Sequence, residues 1–137
     1  MGILLSEGIG DTIRVSLTSK PEKEVKVGLE ILRALGLRAP GPAVTSCPTC
    51  GRTKVDLMRV ATQVEDALET LARDGAKLPR VAVMGCAVNG PGEAKGADIA
   101  LCGADGDFVL YVGGKPVGRA TQDDAARKVM EHVVSFK

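Results

Sequence analysis

The sequence predicts an α/β or α+β sandwich, a mixed β-sheet carrying helices, and three observations lead there. Helix-period and strand-period hydrophobic patterns alternate along the chain, its last third reads as a meander of short strands, and both cysteine-bearing loops directly follow short apolar strands. A length of 137 residues suits one core of ordinary size, and 45% hydrophobic with 26% charged residues is a globular composition. Only two Phe and one Tyr are present, so the core has to be aliphatic and a stacking platform for single-stranded nucleic acid is excluded. Charge agrees. The net value is +1, and Met1 to Arg59 holds nine basic and six acidic residues against nine and eleven in the remainder, too even to hold a polyphosphate backbone. No apolar run approaches the roughly 18–20 residues that cross a bilayer, and the start lacks a secretory pattern. Met1-Gly2-Ile3-Leu4-Leu5-Ser6 fits the loose N-myristoylation pattern, but an apolar strand is the simpler reading. A soluble, cytoplasmic protein is expected, with four cysteines that serve as thiols rather than disulfides.

The elements follow in order. Gly8-Ile9-Gly10-Asp11 is a turn, and Thr12–Thr18 alternates Ile13, Val15 and Leu17 with polar residues, the pattern of a half-buried strand. Ser19-Lys20-Pro21-Glu22 reads as a capping box opening a helix to about Leu35, with Val25, Leu29 and Leu32 inward and Gly36 at its end. Arg38–Pro42 (RAPGP) is a rigid break. Ala43–Ser46 is a short strand running into Cys47-Pro48-Thr49-Cys50-Gly51. Leu57, Val60, Ala61, Val64, Leu68 and Leu71 then follow helical spacing, with Asp56 before them and Gly75 after. Arg80–Gly85 is an apolar strand delivering Cys86 to a second loop that ends at Glu93. Asp98–Cys102 and Phe108–Val112 form a hairpin signalled by Asp105-Gly106, Gly113-Gly114 turns the chain again, and Pro116–Ala120 is a short edge strand. Thr121, with Asp124 three residues on, caps a last helix to about Phe136.

The chemistry sits in the two loops. Cys47 and Cys50 have the CxxC spacing that lets two thiolates share a metal or cluster, but the same spacing serves a redox dithiol or one arm of a zinc site. A thioredoxin-like role is disfavoured by the mid-chain position and by the second cysteine loop downstream. A zinc-stabilised interaction module would use Cys47, Cys50, Cys86 and Cys102, although Cys102 falls inside a strand pattern. The other path takes the fourth ligand from Glu93, seven residues after Cys86, giving three thiolates and one harder, exchangeable carboxylate. Alternatively Glu93 is a solvent-exposed charge beside Lys95.

The strings Glu7–Leu17 (EGIGDTIRVSL), Ser46–Arg52 (SCPTCGR) and Met84–Ala94 (MGCAVNGPGEA) closely resemble the C-terminal part of the 4-hydroxy-3-methylbut-2-enyl diphosphate synthases, the GcpE/IspG family. The resemblance covers essentially the whole chain. It implies one [4Fe-4S] cluster bound by Cys47, Cys50, Cys86 and Glu93, with Glu93 also catalytic and Cys102 a buried bystander. It further implies reductive opening and dehydroxylation of 2-C-methyl-D-erythritol 2,4-cyclodiphosphate, a small diphosphate, with ferredoxin or flavodoxin as electron donor. A homodimer is implied too, and a cluster domain similar to the iron-sulfur modules of sulfite and nitrite reductases. Residues 1–18 then correspond to the last strand of a TIM barrel and 19–137 to the cluster domain. Family members are much longer, so this is expected to be a C-terminal fragment, with Met1 added or internal, that does not turn over alone. Arg52 stands between diphosphate attraction and a plain surface cation, and Asn89 between an orienting group and a turn residue.

Overall fold

The structure, a computed structural model, describes residues 1–38, 41–73 and 78–136. It divides into two compact units, Met1–Gly41 and Pro42–Lys137, within the expected RAPGP break. Ala39 and Pro40 of that break, and the Gly75 expected after the long helix, lie outside the described residues.

The first unit holds two helices, α1 (Gly2–Ser6) and α2 (Pro21–Ala34). The apolar start is thus a helical turn rather than a strand, with Leu5 buried. Residues 12–17 form no regular element and Thr18 lies in a bend, so Thr12–Thr18 is not a strand of any sheet among the described residues. Its alternation is used in part: Ile13 and Val15 are half-buried while Thr12, Arg14 and Ser16 are exposed, but Leu17, expected inward, is exposed too. Ile13 Cδ1 and Val15 Cγ2 sit 3.7 Å from where a Cβ would stand on Gly28, so the pair packs on α2 instead of entering a ladder. The capping box does not form. Pro21 takes the first helical position, which forces Lys20 into an extended N-cap conformation without a side-chain cap bond. Glu24 instead accepts the Leu17 N–H at 3.0 Å. Val25, expected inward, is 64% exposed because the buried face centres on Gly28. Gly36 closes the helix at φ 69°, where an L side chain would be strained.

The second unit is built on β1 (Ala43–Ser46), α3 (Leu57–Arg73), β2 (Arg80–Met84), α4 (Gly90–Glu93), a 3₁₀ turn (Ala94–Gly96), β3 (Ile99–Ala104), β4 (Asp107–Val112), β5 (Lys115–Ala120) and α5 (Ala125–Val134). The five strands form one mixed sheet in sequence order, β1 to β3 parallel and β3 to β5 antiparallel. Asp105 (φ 53°) with Gly106 (φ 84°), and Gly113 (φ 55°) with Gly114 (φ 76°), make the two hairpin turns, each needing positive φ at both central residues. Asp56 immediately precedes α3, and its carboxylate accepts the Arg59 N–H at 3.2 Å. Thr121 accepts the Asp124 N–H at 3.3 Å, closing a turn just before the last helix, which begins at Ala125 and ends at Val134 rather than at Phe136.

The sheet has two unlike faces. Val81, Val83, Ile99, Leu101, Phe108 and Leu110 join Val60, Val64 and Leu68 of α3 and Val129 and Val133 of α5 in the main core. Each fully buried aliphatic side chain there contributes roughly 1.5–3 kcal/mol. The alternate residues Ala82, Met84, Ala100 and Cys102 face the other way and are packed with Ala94 of the 3₁₀ turn. No helix among the described residues is long and apolar enough to cross a membrane.

Candidate metal centre

Parallel pairing sets the site. Ser46 lies opposite Val83 and Met84 opposite Cys102, so β1, β2 and β3 end side by side and the loops after β1 and β2 leave from neighbouring carboxyl ends. Binding sites of α/β sheets form at such ends. Cys47 follows β1 directly, is half-buried, and its Sγ accepts the Gly85 N–H at 3.3 Å. The first cysteine loop is therefore tied to the residue just before Cys86. Thr49 turns the CxxC segment through φ 65°, an uncommon conformation for a β-branched residue, and carries the chain round to the exposed Cys50.

The second loop is more ordered than a turn-rich run suggests. Gly90 N–H donates to Cys86 O at 3.2 Å and Glu93 N–H to Asn89 O at 2.9 Å, making the helical turn α4 with Pro91 in the position that needs no donor. The backbone N–H of Asn89, then that of Val88, and further the Gly90 N–H and the Arg52 charge hold the Cys86 thiol below its usual range, against the opposing effect of burial. These donors favour the thiolate of Cys86, the form that binds metal. Asn89 acts through its backbone here, without a side-chain cap bond. Glu93 ends α4 with an exposed carboxylate that has no ion pair among the described residues. Arg52 is an exposed cation whose charge reaches Cys86.

Cys102 is only 1% exposed and belongs to the thinner face of the sheet. Burial, and after it the charge of Cys86, pushes its thiol up to about 11. It is a packed thiol, as its strand position predicts. The zinc alternative finds no support: among the described residues no three of Cys47, Cys50, Cys86, Cys102 and Glu93 bring ligand atoms within 4.8 Å of one another. A tetrahedral zinc at about 2.3 Å from each sulfur requires them about 3.8 Å apart. Cys47 and Cys86 lie in loops that leave adjoining strand ends, and thiolates are the soft donors that iron-sulfur centres use.

Three glycines and a threonine were not singled out by sequence. Gly90 lies against β2 and β3: a Cβ there would stand 3.0 Å from Met84 Cβ and 3.2 Å from Cys102 Sγ. A Cβ on Gly103 would stand 2.5 Å from the Gly85 carbonyl oxygen, and one on Gly85 would stand 2.7 Å from Thr53 Oγ1. A glycine stands beside a cysteine in three places, Cys50-Gly51, Gly85-Cys86 and Cys102-Gly103, but a Cβ on Gly51 would meet nothing within 4 Å, so adjacency alone does not mark the packed positions.

Residues 43–135 match the family model described as the GcpE protein C-terminal domain. The chain belongs to the GcpE family. Residues 1–29 match the GcpE TIM-barrel domain. Among curated relatives, a protein of Symbiobacterium thermophilum is 51% identical over 134 residues, which are 97% of this chain and 35% of the relative. One of Caldanaerobacter subterraneus subsp. tengcongensis is 56% identical over 115 residues, 84% of this chain and 31% of the relative. One of Clostridium acetobutylicum is 47% identical over 133 residues, covering 97% and 37%. All three are named 4-hydroxy-3-methylbut-2-en-1-yl diphosphate synthase (flavodoxin). The chain spans about a third of the length of these GcpE relatives.

Proposed function

We propose that this chain is the cluster-binding part of a 4-hydroxy-3-methylbut-2-enyl diphosphate synthase, an oxidoreductase of isoprenoid biosynthesis. In this reading Cys47, Cys50, Cys86 and Glu93 hold a [4Fe-4S] cluster, and the full enzyme reductively opens and dehydroxylates 2-C-methyl-D-erythritol 2,4-cyclodiphosphate. Flavodoxin, the donor in the relatives' names, or a ferredoxin supplies the electrons. In the full enzyme residues 1–18 would be a remnant of the TIM barrel's last strand, around Thr12–Thr18, although this segment joins no sheet among the described residues, and 19–137 are the cluster domain, similar to the modules of sulfite and nitrite reductases. The enzyme is a cytoplasmic homodimer.

The observation that carries this reading is the Gly85 N–H donated to the Cys47 sulfur, which supports the convergence of the two cysteine loops. Bound there, the cluster supplies low-potential electrons and a Lewis-acidic iron. The chain's own residues divide the remaining work. Cys86 is readied as a thiolate by the backbone N–H groups around it, and Cys47 accepts an amide hydrogen bond. Glu93 has no ion pair among the described residues and, in this reading, is the harder, more exchangeable ligand. Arg52 is an exposed cation whose charge reaches Cys86, and in this reading it attracts the anionic diphosphate.

Glu93→Ala and Cys86→Ala test the division of roles. After anaerobic reconstitution, Glu93→Ala retains more iron and sulfide than Cys86→Ala, yet loses turnover in a chain that also carries the barrel. Equal cluster loss in both contradicts it. The isolated chain does not convert the cyclodiphosphate with a low-potential reductant, and measurable conversion overturns the need for the barrel.

A further inference from the structure

We propose that Thr53 and Gly85 form a latch that positions the cysteine ligands, an inference resting on the reading of Cys47, Cys50 and Cys86 as cluster ligands. Thr53 Oγ1 accepts the Cys50 N–H at 3.2 Å, and the Thr53 N–H donates to the Cys50 carbonyl at 3.0 Å. These reciprocal bonds fix the backbone of Cys50 to that of Thr53. The half-buried Thr53 side chain in turn rests on the bare Cα of Gly85, where a Cβ would stand 2.7 Å from Oγ1 and 2.9 Å from Cγ2. Gly85 is held from the neighbouring strand as well, since its carbonyl lies where Gly103 has no side chain. So placed, it aims its N–H at Cys47 Sγ and precedes Cys86 in the chain.

One glycine therefore links three ligands: Cys50 through Thr53, Cys47 through an amide hydrogen bond and Cys86 through the peptide bond. Thr53 touches no ligand sulfur and is a positioning residue. Its hydroxyl serves Cys50, and its bulk keeps the Gly85 amide in place. An amide N–H on a thiolate sulfur favours the more negative, reduced form of a cluster, so displacing that amide lowers the reduction potential.

The test uses the anaerobically reconstituted chain and four variants, reading the rate of iron release to a chelator, the midpoint potential and the paramagnetic resonance of the reduced form. Thr53→Val keeps the shape but not the acceptor, and is expected to release iron on the order of tenfold faster than wild type. Thr53→Ser keeps the acceptor and stays within about twofold of wild type. Gly85→Ala shifts the midpoint potential negative and alters the resonance signature. Adding Thr53→Ala restores part of that shift, because it removes the two nearest atoms, Oγ1 and Cγ2, and leaves the residue-53 Cβ at 3.3 Å from the new methyl. Equal iron release from the Val and Ser variants overturns the latch, as does an additive double variant. If Gly85→Ala does not fold, the Thr53→Val and Thr53→Ser comparison decides alone. A wild-type chain that assembles no iron-sulfur cluster overturns the ligand reading as well, so the two failures are distinguishable.

Discussion

The two faces of the sheet use opposite kinds of side chain. The face under α3 and α5 is filled by Val, Leu, Ile and Phe, whereas the face under α4 is made of Ala, Met and Cys. Bulky aliphatic residues remove the most apolar surface from water and hold the fold together. Small residues let a backbone come close, as Gly90 of α4 does against Met84 and Cys102. The bulk of the packing thus lies on one face of the sheet and the close backbone approach on the other, with the cysteine loops at the carboxyl ends of β1 and β2.

The largest effect should come from the bulky face. Phe108→Ala removes a side chain with 0% exposure and is expected to cost about 3–5 kcal/mol in denaturant unfolding. A loss below about 1 kcal/mol would show that this face is not the main support. On the thin face, Gly90→Ala introduces a methyl 3.0 Å from Met84 Cβ and 3.2 Å from Cys102 Sγ, an overpacking expected to cost about 1–2 kcal/mol. Cys102→Ala in the same chain should recover part of that cost, and a strictly additive pair would break the contact.

The smallest effect lies at the amino end of the strands. Asp98 accepts the Arg80 N–H at 2.8 Å, and this bond first, then the Arg80 side chain, holds its carboxyl below the usual range. A lowered folded pKa stabilises the native state above the unfolded value near 3.8 and is lost as pH falls through the folded one. Asp98→Asn should therefore lower stability by under about 1 kcal/mol at neutral pH and flatten the loss below about pH 4. An unchanged acid profile in urea melts would contradict this.

These contrasts also explain what could be read without coordinates. Local chemistry was legible: Asp105-Gly106 and Gly113-Gly114 make the turns they suggest, and the helical spacing from Leu57 marks α3. Thr12–Thr18 shows the limit, because alternation reports one buried face but not what covers it, here a helix position instead of a neighbouring strand. Cys102 was legible as a buried residue through its apolar strand neighbours, whereas the CxxC spacing marked Cys47 and Cys50 only as candidates and Glu93 was singled out by the family resemblance. Thr53, Gly85 and Gly103 were not, since their importance arises from contacts between residues far apart in sequence.

The separation of ligand thiols from a packed thiol is tested most directly by anaerobic reconstitution of Cys102→Ala beside Cys86→Ala, with iron and sulfide assayed in both. Cys102→Ala should take up as much iron and sulfide as wild type while Cys86→Ala takes up little. A Cys102→Ala chain as empty as Cys86→Ala, or a wild-type chain that fills with a single zinc in place of iron and sulfide, would contradict the assignment.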